Sequence, residues 1–154
     1  MRALVTALYG LGLLTVGSTL QPLDMRLLYH PDDVAGILDA LGEAGRAEYR
    51  LLAFADLGFI LVYSSLLLTW TKFLRVREAL PRAMWPVLAL LPGLFDLVET
   101  VGALVLLGQF PDLERVWVTT VAVATPSKWL TLGAMVVILL WGETTRWRHR
   151  DDPR

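Results

Sequence analysis

Four ionisable side chains, Asp56, Asp96, Glu99 and Lys128, stand inside stretches that are otherwise apolar, and together they have the makings of a proton-transfer site. On membrane-insertion scales each such charge costs about 2.5–3.5 kcal/mol at the centre of a spanning helix, or roughly 10 kcal/mol for four left unpaired. A cost of that size calls for pairing or for function. Asp96 and Glu99 are three residues apart, so one helical stripe carries both carboxyls, with Thr100 beside them. Lys128 is a single base against three acids, so one ion pair leaves two carboxyls over. With burial and a like charge one turn away, one member of the Asp96/Glu99 pair is expected to be neutral. A neutral acid beside an ionised one is how proteins prepare a proton donor and acceptor.

The elements that must position these groups are membrane spans. The chain has 154 residues, 55% of them hydrophobic, and a mean hydropathy of +0.54, above the usual range of a soluble domain. A hydrocarbon core of about 30 Å needs about 20 apolar residues, and four segments qualify: 3–20, 51–70, 84–107 and 116–141. The expectation is an all-α, integral membrane four-helix bundle, a single domain over residues 1–154 that passes the cell membrane several times. The net charge of −1 says little, because in a membrane protein the placement of Lys and Arg matters more than their sum. Nine of them (Arg2, Lys72, Arg75, Arg77, Arg82, Arg146, Arg148, Arg150 and Arg154) fall on one face, and Arg26, Arg46, Arg50 and Arg115 on the other. That asymmetry predicts both termini in the cytoplasm and the loop 21–50 outside. Trp70, Trp85, Trp117 and Trp141 stand near span ends, as an aromatic belt would place them. The competing reading of residues 1–20 is a cleaved signal peptide. Against it, Arg2 alone supplies a basic start and no Ala-x-Ala follows, while Gly10 and Gly17 suit close helix packing.

Absent residue types exclude some chemistry. With no cysteine there is no disulfide, Cys-ligated metal or thiol redox reaction. His30 and His149 both lie in polar connections, so no histidine pair ligates haem across the bilayer. No metal and no cofactor are expected.

At 1.5 Å per helical residue, Asp96 and Lys128 each lie roughly 16–18 Å below the outer surface, so they are expected to meet near the midplane. Tyr63 falls at the same depth and is the expected partner of Lys128, although a satisfied core tyrosine is the plainer reading. Asp56 lies only five residues from the outer end of its span, and Asp56, Phe59, Tyr63 and Trp70 are expected to share one face. Thr125, Thr131 and Met135 lie near the Lys128 stripe, and Pro126 frees the Ala122 carbonyl. Ser64 and Ser65 are expected to bond back onto their own helix. In the outer loop, Pro31 with Asp32 and Asp33 starts a short amphipathic helix with Val34, Ile37, Leu38 and Leu41 on its apolar face, ended by Gly42. His30 caps it, and residues 43–50 extend the second span outward. The tail Arg146-Trp147-Arg148-His149-Arg150 beside a span reads as an anchor to anionic lipid headgroups, not as a nucleic-acid patch.

Leu23-Asp24-Met25, Tyr29, the turn Leu41-Gly42-Glu43-Ala44-Gly45-Arg46, Tyr49, Asp56, Tyr63, Asp96-x-x-Glu99 and Lys128-Trp129 together resemble a set of short uncharacterised four-helix membrane proteins from bacteria. More distantly, the layout is similar to the emopamil-binding (EXPERA) family of sterol isomerases and ligand-binding proteins. There an acid follows the first span, as Asp24 does here, and another opens the second, as Asp56 does. That resemblance implies an acid-lined pocket for a lipophilic molecule.

The leading expectation is therefore a pocket for an isoprenoid- or sterol-like small molecule, with Asp56, Asp96, Glu99, Lys128 and Tyr63 as catalytic candidates. Phe59, Thr100, Thr131, Trp129 and Asp24 are the ligand-lining candidates. In an isomerase or cyclase, Glu99 or Asp96 donates a proton, Asp56 stabilises developing positive charge and Lys128 holds the paired carboxylate as a base. Two alternatives stay open. The same groups could form a proton or cation relay, for which four spans need a homo-oligomer, or Asp96 and Lys128 could be a register-fixing pair in a structural partner subunit.

Overall fold

Polar punctuation sets the first element. The computed structural model describes Leu23, Arg26, residues 29–73 and residues 84–148; the first predicted span, Asp24 and the centre of the basic loop lie outside the described residues. His30 accepts from the backbone N–H of Asp32 while Asp33 reaches back to the His30 N–H, a reciprocal capping box around Pro31. A 3₁₀ turn at Pro31–Asp33 leads into helix α1, Val34–Ala40. Gly42 at φ 65° lets the chain pivot with no intervening loop, and α2, Gly42–Phe73, begins there. Helix α3 spans Met84–Gln109 and α4 Arg115–Arg148. Among the described residues the structure is all-helical, and α2, α3 and α4 are each long and apolar enough to cross a membrane.

Helix α3 is central, with α2 and α4 both packed against it. Small residues permit the close approach: a Cβ on Gly93 would overlap the Ser64 hydroxyl of α2, and one on Gly102 would overlap Val121 Cγ2 of α4. The buried stripe of α2 is Tyr49, Ala53, Ile60, Ser64, Leu67 and Thr71. On the face expected to carry Asp56, Phe59, Tyr63 and Trp70, Phe59 and Trp70 are each 41% exposed. Trp85 also departs from the belt, lying 4% exposed between the helices.

Two apolar clusters fill the ends of the interface. At the α1 end, Leu23, Val34 and Leu38 pack with Leu106, Leu107 and Val121, and Arg46 crosses over to the Leu38 carbonyl and the Phe110 ring. Arg50 donates to the Leu107 carbonyl at 3.0 Å, capping the last turn of α3. At the opposite end Leu67, Trp85, Ala89, Met135 and Leu139 close the stack. The charged residues lie between.

Candidate acid-base site

Asp96, Glu99 and Thr100 sit on the buried stripe of α3, where the three-and-four spacing keeps them together. Antiparallel α4 brings Lys128 across from them. Its Nζ lies 2.9 Å from Asp96 Oδ1 and 2.5 Å from Glu99 Oε2, so one ammonium bridges two carboxylates. The expected single pair is thereby corrected to a triad, with Glu99 held by the lysine as firmly as Asp96. Glu99 is fully buried, where an ammonium in direct contact is the strongest compensation available to it.

The remaining carboxylate oxygens are also engaged. Tyr63 donates to Asp96 Oδ2 at 2.8 Å, so its partner is the aspartate and not, as expected, the lysine. Thr125 donates to Glu99 Oε1 at 2.5 Å. The Tyr29 and Thr125 hydroxyls are in hydrogen-bond contact at 3.2 Å, and Thr125 Oγ1 also lies 3.0 Å from the Val121 carbonyl oxygen. A continuous string results: Tyr29, Thr125, Glu99, Lys128, Asp96, Tyr63. Asp56 joins the layer from α2, accepting from the Thr100 hydroxyl at 2.7 Å. All four anomalous charges thus fall in one polar layer of the described structure.

Beside the triad, Tyr49, Ala53, Asp56, Glu99, Thr100 and Ala103 enclose a cavity of about 10 Å³. That is room for one water-sized group, and four polar side chains line it. Among the described residues no cluster of His, Cys, Asp or Glu is disposed to hold a metal ion.

Other candidates fall at varying distance from this layer. Thr131 bonds back to the Ser127 and Lys128 carbonyls of its own helix. The Trp129 ring is 41% exposed, and Lys128 Nζ lies 5.4 Å from its centroid, within cation–π range. Phe59 packs its ring against Tyr63 with centroids 5.3 Å apart. Of the two serines, Ser65 donates to the Leu61 carbonyl, whereas Ser64 is buried against Gly93. Sequence reasoning did not place Tyr29 or Tyr49 in the site; Tyr29 comes from a loop, where no periodicity marks it. Thr125, read from the sequence as lying near the Lys128 stripe, donates to Glu99.

A second space is larger and differently made. A groove of about 520 Å³ runs along the outside of the α3–α4 contact, lined almost wholly by apolar atoms from Leu94, Phe95 and Val98 on one side and Val116, Thr120 and Val123 on the other. Compared with family models, with curated proteins and with solved structures, the chain finds no match in any of the three.

Proposed function

We propose that the carboxylate–lysine layer is an intramembrane acid-base site acting on a lipophilic, isoprenoid- or sterol-like molecule that arrives from the bilayer, by isomerisation or cyclisation. The observation that carries this reading is the position of the layer, closed towards both helix ends by apolar clusters. Charged groups kept from water in this way interact strongly and are protected from side reactions. One carboxyl of the triad gives a proton to one carbon of a substrate alkene, leaving a cation on the other, and a carboxylate takes a proton from the carbon beyond that cation, so the double bond moves one position and no proton is gained or lost. Lys128 keeps the accepting carboxylate anionic, while Tyr63 and Thr125 fix the two carboxyl planes. Asp56, steadied by Thr100, faces the transient cation through the small cavity.

The test works without a named substrate. Cells making the wild-type protein or Glu99→Gln are grown in D₂O, and their apolar lipid extracts are compared by mass spectrometry. Deuterium-labelled isomers should appear with the wild type and vanish with Glu99→Gln, while the purified variant keeps its helical content. Extracts that are identical overturn the reading.

The hydrogen-bonded string from Tyr29 to Tyr63 favours one second reading, a proton relay. Its weakness is the apolar cluster of Trp85, Met135 and Leu139 beyond Tyr63. Proton flux in liposomes that depends on Glu99 is its signature.

A further inference from the structure

The α3–α4 groove lies apart from the acid layer, and none of the residues lining it belongs to the triad. Leu94, Val116 and Val123 on its walls are 55%, 64% and 58% exposed, so it opens sideways. Its hydroxyls face inward on their own helix: Thr119 and Thr120 donate to the Arg115 and Val116 carbonyls. The surface offered is therefore hydrocarbon, and its volume is that of an ordinary ligand site, about 300–1,000 Å³.

One end of the groove is not hydrocarbon. Val116 follows directly on Arg115, the first residue of α4, and the turn before it carries Asp112 and Glu114. All three are exposed, and none forms an ion pair among the described residues. The chain thus brings one guanidinium and two carboxylates to the end of α4 that carries Val116, the first of its groove-lining residues. A headgroup carrying a phosphate alone would meet the arginine but also both acids. A headgroup carrying a phosphate and an ammonium satisfies both signs, the phosphate against Arg115 as Arg–phosphate pairs are and the ammonium against Glu114 or Asp112. From the apolar walls and this charge pattern, we infer that the groove is a binding site for one acyl chain of a phosphoethanolamine-headed membrane lipid. This site uses different residues from the proposed acid-base site and stands or falls separately from it.

The experiment reconstitutes the full chain in vesicles doped with phosphatidylethanolamine or phosphatidylglycerol bearing a diazirine in the acyl chain. After irradiation, adducts are mapped by peptide mass spectrometry. The ethanolamine lipid should label the Leu94–Val98 and Val116–Val123 peptides at least fivefold above the exposed Leu61–Leu66 face of α2, and above the glycerol lipid at the same dose. Val123→Trp, which fills the groove from an exposed position, should lower that labelling fivefold, whereas Leu61→Trp should not. Arg115→Gln with Glu114→Gln should equalise the two lipids and leave the chain in place. Equal labelling of α2 and the groove overturns the site. Labelling by the glycerol lipid as strong as by the ethanolamine lipid overturns the headgroup assignment. Size-exclusion profiles of the variants separate loss of the site from loss of fold.

Discussion

The same three helices are joined by two different chemistries. At the level of Asp96, Glu99 and Lys128 they meet through charge and hydrogen bonds; at the level of Trp85, Ala89 and Met135 they meet through apolar packing, with an exposed hydrogen bond from Trp70 to Glu143 at its rim. In water the apolar layer would supply most of the driving force. In a bilayer it does not, because lipid tails are as apolar as the side chains they replace. The apolar layer contributes only its packing, while the polar layer has no alternative partner in the surrounding hydrocarbon. The difference implies that the buried polar layer in the middle of the helices does more to set register than the apolar layers towards their ends.

Removing the cation tests this most severely. Lys128→Met leaves two buried carboxylates facing each other and should destabilise the protein by about 3–5 kcal/mol, measured by unfolding in mixed detergent micelles. Replacing the whole triad, with Asp96→Leu, Glu99→Gln and Lys128→Leu together, should return stability to near the wild-type value. If the single change is as mild as a core truncation at Met135, the contrast between the layers is wrong. A smaller effect is expected where shape decides. Gly102→Ala drives a methyl into Val121 and should cost about 1–3 kcal/mol, recovered by adding Val121→Ala. Least of all, Tyr63→Phe removes one donor from Asp96 while Lys128 stays, and about 0.6–1 kcal/mol is expected; a loss as large as that of Lys128→Met would make the tyrosine, not the lysine, the anchor of the layer.

This contrast also explains which features were legible in the sequence. Helix limits were readable from hydropathy: segments 84–107 and 116–141 became Met84–Gln109 and Arg115–Arg148. The meeting of Asp96 with Lys128 followed from depth alone, since both count nearly the same rise from one surface. The short helix was written in its punctuation, with Pro31 and the acids opening it and Gly42 closing it. What hydropathy did not show was the buried stripe of α2. Phe59 and Trp70, grouped from the sequence with Asp56 and Tyr63 on one face, are each 41% exposed, while Ala53, Ser64 and Thr71 turn inward. In lipid, small and polar residues mark the contact face, because only they gain by leaving the hydrocarbon or permit close approach. The bridging role of Lys128 was missed for a simpler reason: a count of charges by type cannot show that one flexible ammonium serves two carboxylates a single turn apart.

The turn between α3 and α4 is tight, held by the backbone of Asp112 on the Gln109 carbonyl and of Glu114 on the Gln109 side chain. During synthesis α3 emerges first, bearing Asp96 and Glu99 without their lysine. Alone it would carry two carboxyls into lipid, about 5–7 kcal/mol on insertion scales, while the compensating charge is still some thirty residues away on the ribosome. The five-residue connection at 110–114 lets α4 follow at once and fold back beside it. The two helices are thus suited to enter the membrane as one hairpin, its halves neutralising each other before either faces the lipid.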